Sequence, residues 1–123
     1  MRGIGFGATS NSEIIEMKIG IVINTNDPET VWNAFRFANT SLLENHEVKV
    51  FLLGRGVEIE QIKDEKFNVT TQTARLLQAG GQILACGTCL KMRNMKELTI
   101  CPISSMVDLL KIVQESDRVL TFS

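Results

Sequence analysis

The chain is 123 residues long, 44% hydrophobic and 22% charged, the balance of one globular domain rather than a disordered or fibrous segment. Thirteen Lys and Arg stand against fourteen Asp and Glu, a net charge of -1, without the positive excess that nucleic acid or an anionic membrane attracts. No apolar run approaches the roughly 18 residues of a membrane span, and three cysteines are too few and odd in number for a secreted disulfide framework, so a cytoplasmic protein with reduced thiols is expected.

Residues 1–16 are rich in Gly, Ser, Thr and Asn and carry no period, so they read as a flexible leader, a cloning remnant or an upstream start, ahead of a single domain over 17–123. Lys18 to Ile23 is a nearly continuous β-branched run, the pattern of a strand buried on both faces. Asn24-Thr-Asn-Asp27 then offers helix N-caps and Pro28 suits a first helical turn. Residues 28–45 read as a helix whose stripe of Val31, Phe35, Ala38 and Leu42 faces a core. Glu47 to Leu53 alternates as a second strand, closed by Gly54-Arg-Gly56, and residues 57–66 form a loop or short helix. Val69, Thr73, Leu76 and Leu77 outline a second helix stopped at Gly80-Gly81.

Gln82 to Ala85 is a third strand that runs into Cys86-Gly-Thr-Cys89 and a short helical stretch through Arg93. Leu98 to Cys101, ending at Pro102, is the expected fourth strand. Ser104 is the expected N-cap of a helix that buries Met106, Leu109, Leu110 and Val113, and Asp117 to Phe122 is the last strand. The order β-α-β-α-β-(α)-β-α-β implies parallel strands joined by right-handed crossovers, with helices on both faces of one sheet: a doubly wound α/β domain.

Ligands of such sheets collect beyond the carboxyl ends of the strands. Of the three segments expected there, only Cys86-Gly-Thr-Cys89 holds strong nucleophiles. Gly54-Arg55-Gly56 lacks the remaining glycines, or the lysine and serine, of a phosphate loop and reads as a tight turn. His46, the one histidine, falls in a turn at the opposite edge of the sheet, too far to serve Cys86 as a base.

Cys86 and Cys89 are three residues apart at a strand end and helical turn, a spacing at which two side chains can face the same side. Such a pair can cycle as a dithiol, supply half a metal site, carry sulfur as a persulfide, or pack as two small hydrophobes. A closed metal site needs further ligands, and Cys101 and His46 stand at no useful spacing, so no metal is expected within one subunit; sulfur transfer between thiols would require no organic cofactor either. Unpaired N–H groups of the turn after the strand favour negative charge at Cys86, Lys91 and Arg93 add positive charge nearby, and Gly87 leaves the approach uncrowded. Thioredoxin-like enzymes usually carry the motif after the first strand, which weakens the thiol–disulfide oxidoreductase reading. Spacing alone leaves the functional and packing readings open.

The stretch Leu84-Ala-Cys-Gly-Thr-Cys-Leu-Lys-Met-Arg93, with Ile103-Ser-Ser-Met-Val-Asp-Leu-Leu110 and Glu115-Ser-Asp-Arg-Val-Leu-Thr-Phe122, resembles the DsrE/DsrF-like sulfur-relay family, and within it the small YchN-type single-domain members. The resemblance spans Met17 to Phe122. It implies a three-layer α/β/α fold on a five-stranded, mainly parallel sheet, homo-oligomers (trimers or hexamers), and intracellular sulfur transfer between donor and acceptor proteins. Cys86 matches the family's sulfur-accepting cysteine and Cys89 its second thiol, with Asn24, Gly87, Thr88, Lys91 and Arg93 as surrounding support. Relatives often have Arg-Gly where this chain has Arg93-Asn94; Asn tolerates the same left-handed turn. The competing readings are a non-catalytic assembly subunit and a CxxC oxidoreductase.

The other chemistry-bearing residues have plainer roles. Cys101 beside Pro102 reads as a packed thiol. Trp32, Phe35 and Phe37 read as packing, with one of Phe35 and Phe37 turned toward a neighbouring subunit; Met92 and Met95 read as a soft rim for a partner, and Asn24 and Asn26 as helix caps.

Overall fold

The computed structural model describes residues 16–123; the expected leader, Glu16 apart, lies outside the described residues. Five strands, β1 (Lys18–Ile23), β2 (Glu47–Leu52), β3 (Gln82–Cys86), β4 (Ile103–Ser104) and β5 (Arg118–Phe122), form one sheet. The helices are α1 (Pro28–Leu43), α2 (Val69–Gln78), α3 (Gly87–Met92) and α4 (Met106–Glu115), with a 3-10 helix over Gly54–Gln61. All four strand pairings are parallel, in the spatial order β4-β3-β2-β1-β5. The α/β fold is therefore the expected one.

β1 lies between β2, the middle strand, and the edge strand β5, with Ile21 opposite Val50 on one side and Leu120 on the other. Ile19, Ile21, Val22 and Ile23 are all buried, which is why β1 reads as a continuous apolar run, while β2 alternates through half-buried Glu47 and Lys49 before its buried end at Val50, Phe51 and Leu52. Asp27 caps α1, its carboxylate accepting from the Thr30 N–H at 2.9 Å. Neither Asn24 nor Asn26 caps it. The helix ends at Leu43, short of the expected 45, because Asn45 turns left-handed at φ 71° and the His46 N–H bonds back to the Ser41 carbonyl at 3.0 Å. His46 sits at the amino-terminal edge, where its Nδ1 accepts from the Met17 N–H at 3.0 Å.

Three expectations are corrected. The fourth strand is Ile103–Ser104, after Pro102, not Leu98 to Cys101. The amides of Thr99 and Ile100 are taken by the Glu60 carboxylate, at 2.9 and 3.0 Å, so they have no ladder to join, while the Pro102 carbonyl accepts from Ala85. The cap of α4 is Ser105, not Ser104, and of the face expected to be buried Leu109 packs against the core while Met106, Leu110 and Val113 are turned outward. Among the helix residues only Ile112 is buried; Met106, Val107, Leu110 and Val113 are all about half exposed or more. α4 meets β1 instead through Ile112 and Ser116. A Cβ on Gly20 would stand 2.8 Å from side-chain atoms of both, so that glycine is what lets the helix approach.

The topology also opens a crevice. β1 to β4 step across the sheet in one direction, whereas β5 returns to the far side of β1. Right-handed crossovers then place α1, α2 and α3 on one face and α4 on the other. The chain leaves adjacent strands β3 and β4 toward opposite faces, and a gap forms between their carboxyl ends.

Candidate functional site

That gap is a groove of about 850 Å³. From β3 and α3 it is lined by Cys86, Gly87, Thr88 and Lys91, and beyond the helix by Met95 and Lys96. Ile103, Ser104, Ser105, Met106 and Val107 form the opposite wall. Four of the expected site residues, Cys86, Gly87, Thr88 and Lys91, thus share one cavity, while Cys89, Arg93 and Asn24 do not line it. Lys96 was missed; a basic residue five positions beyond Lys91 is the only local signal for it.

Cys86 ends β3 and is the N-cap of α3, opposite Ser104 in the β3–β4 register. Sequence reasoning expected an open thiol; the side chain is 2% exposed and forms part of the groove floor. Gly87 has a different use from the one expected. A Cβ there would meet Ile103 Cγ2 at 2.8 Å and the Ser104 carbonyl oxygen at 3.2 Å, so the glycine lets β4 close onto α3 rather than clearing an approach.

Cys89 lies one turn along, half-buried, facing the turn after β2. Its Sγ accepts a hydrogen bond from the Gly54 N–H at 3.2 Å. Burial pushes its thiol above the usual 9.0; the Gly54 N–H partly offsets this, and the neighbouring Cys86 thiol pushes it further up. Gly54 is left-handed, φ 56°, and the Asn24 carboxamide oxygen fills the space a Cβ would need. Asn24 therefore packs behind the turn that serves Cys89 and does not reach the groove.

Arg93 is committed elsewhere too. Its Nε pairs with Glu58 at 2.6 Å and its Nη1 donates to the Cys89 carbonyl at 3.0 Å. Asn26 donates to the other Glu58 oxygen at 2.9 Å. These contacts, Arg93 first, hold the Glu58 carboxyl below its ordinary 4.5. Arg93 is thus a brace for the cysteine turn, its charge matched by Glu58, and not a cation free for a sulfur anion. Asn94 is left-handed at φ 55°, the geometry expected where relatives carry glycine.

Cys101 is 7% exposed and outside the groove, its thiol pushed up to about 12 by burial, with Glu60 adding to the shift. Trp32 stacks edge-on against Phe67 at 5.3 Å under the Arg36 guanidinium; Phe35 is buried and Phe37 exposed. Among the described residues no three His, Cys, Asp or Glu side chains are grouped to hold a metal, and no helix is long and apolar enough to cross a membrane.

A three-layer parallel domain with two thiols at the crest of its third strand defines a class of small cysteine-bearing α/β proteins. The chain belongs to the DsrE/DsrF-like family, whose model matches residues 17–122. It is 37% identical over 115 residues to an uncharacterized protein of Methanocaldococcus jannaschii, MJ0989, an overlap of 86% of this chain and 100% of that one. It is 36% identical over 100 residues to an uncharacterized protein of Methanopyrus kandleri, MK0008, covering 76% of this chain and 83% of the relative. A conserved protein of unknown function from Bacteroides thetaiotaomicron, BT1422, shares the fold with a TM-score of 0.69 at 21% identity, over 85% of this chain and 94% of that one.

Proposed function

We propose that the protein is a sulfur carrier in the cytoplasm, in which Cys86 accepts sulfur as a persulfide and hands it to the next thiol. The observation that carries this reading is the position of Cys86 on the floor of the groove where the β3 and β4 connections part, with a second thiol one turn away. Membership of a sulfur-relay-type family supports it. Cys89 is the auxiliary thiol, supported by Gly54 and braced through Arg93; Thr88 and Lys91 line the path to Cys86. Thiol exchange needs no organic cofactor. The exposed Leu110 and Val113 of α4 support a homo-oligomeric working form; its size, a trimer or hexamer, follows only from the family resemblance.

The test is intact mass after incubation with a persulfide donor. One added sulfur that is lost in Cys86→Ser and kept in Cys101→Ser is the expected result; no gain with any donor refutes the reading. The 2% exposure of Cys86 favours one competitor, an assembly subunit whose cysteines only pack. That reading requires Cys86 to resist alkylation in the native protein as fully as Cys101 does.

A further inference from the structure

Resting on the carrier reading, we infer that the sulfur donor is a small organic persulfide bearing carboxylates, held by Lys91 and Lys96 while its terminal sulfur reaches Cys86. Three observations narrow the donor to this class. Cys86 is 2% exposed at the base of the groove, so the donor's terminal sulfur must project into the groove to reach it. The groove, at about 850 Å³, lies within the range that encloses small ligands. Its rim has two exposed lysines, Lys91 and Lys96, that form no ion pair among the described residues, whereas Arg93 is matched by Glu58.

The groove residues include no Asp or Glu; the acid behind the wall, Asp108, accepts from the Ser104 hydroxyl at 2.6 Å, which leaves the two lysines as the charged groups of the lining. Ile103, Met106 and Val107 form an apolar wall facing the lysine-bearing side, suited to the carbon chain of such a donor. The transfer balances without an outside oxidant. The Cys86 thiolate attacks the terminal sulfur of R–S–SH and a new S–S bond forms at Cys86. The donor's S–S bond breaks, its electron pair leaves with the R–S sulfur as a thiolate, and the transferred sulfur keeps its proton.

The experiment compares glutathione persulfide with the persulfide of its diethyl ester, in which both carboxylates are masked, and follows sulfur addition to Cys86 by mass. The acid is expected to react about three- to tenfold faster than the ester, the size two exposed ion pairs supply. That preference is expected to shrink toward 1 M salt, where the Debye length falls to about 3 Å. It is also expected to vanish in Lys91→Gln/Lys96→Gln and to persist in Lys63→Gln, which lies outside the groove. Equal rates for acid and ester, a preference that survives the double substitution, or sulfur accepted only from a protein persulfide would overturn the inference and leave Cys86 as a carrier. Absence of sulfur on Cys86 with every donor would overturn the carrier reading as well.

Discussion

The N–H of Gly54, at the turn after β2, donates to the Sγ of Cys89, on the helix after β3, at 3.2 Å. Two strand ends are joined through one sulfur, and the turn that does it is left-handed with Asn24 packed behind it. Gly54→Ala is therefore expected to cost about 1–2 kcal/mol from the left-handed backbone alone. The Asn24 carboxamide must also move. The loss shows as a lower denaturant midpoint with an unchanged slope. If the substituted turn swings away, Cys89 loses its backbone donor and ionises at still higher pH.

Cys89 stays protonated at neutral pH because burial, and next its neighbour Cys86, hold its thiol above 9.0. Substituting Cys86 removes the second of these causes and leaves the first. In Cys86→Ser/Cys101→Ser, alkylation of Cys89 is expected to begin at lower pH than in Cys101→Ser alone, yet to remain slower than that of free cysteine at neutrality. Rates measured across pH, with tandem mass spectrometry assigning the modified sulfur, check this. Identical profiles would mean that the two sulfurs do not sense each other.

The parts of the fold read correctly from sequence are those that local pattern controls. β1 comes out residue for residue because its β-branched run is buried on both faces, and α1 begins where Asp27 and Pro28 place it. The fourth strand was misplaced because Leu98 and Cys101 are buried and look strand-like, while the group that captures the intervening amides, Glu60, stands 39 residues from Thr99. The α4 stripe of Met106, Leu110 and Val113 is a genuine helical period, but a period does not say which side meets the sheet. At the site, the cysteine spacing was legible. The pairing of Arg93 with Glu58 and the aim of the Gly54 N–H were not, because each joins elements about 35 residues apart.

Cys101 makes stability depend on alkaline pH. Its thiol is pushed up to about 12 in the folded chain, from an ordinary 9.0. Below 9 both states hold the proton and the residue has no effect on the slope. Between about 9 and 12 only the unfolded chain releases it, so folding stability falls as pH rises, by at most about 1.4 kcal/mol per pH unit from this one proton. Chemical denaturation across that window is expected to show a shallower fall in Cys101→Ala, on top of a pH-independent loss from the vacated volume. In Glu60→Gln the neighbouring charge is gone, so the Cys101 thiol ionises more easily and the onset of the slope moves little while its upper end moves down. An unchanged slope in Cys101→Ala would mean that the thiol is not held protonated.

Leu110 and Val113 are exposed on α4, an apolar row beyond the groove wall that a solitary domain has no reason to keep in water. Both lie outside the groove lining, so changing them leaves the groove's own residues in place. If copies of the chain pack through this row, Leu110→Glu/Val113→Glu places four like charges in a two-copy contact and prevents it. The chain is expected to sediment as an oligomer and the double variant as a monomer with the same far-ultraviolet dichroism. The folding cost is small, within about 0.5 kcal/mol per exposed site. Sedimentation velocity over a hundredfold concentration range separates the outcomes. A wild-type chain that stays monomeric throughout would leave the α4 row without an assembly role.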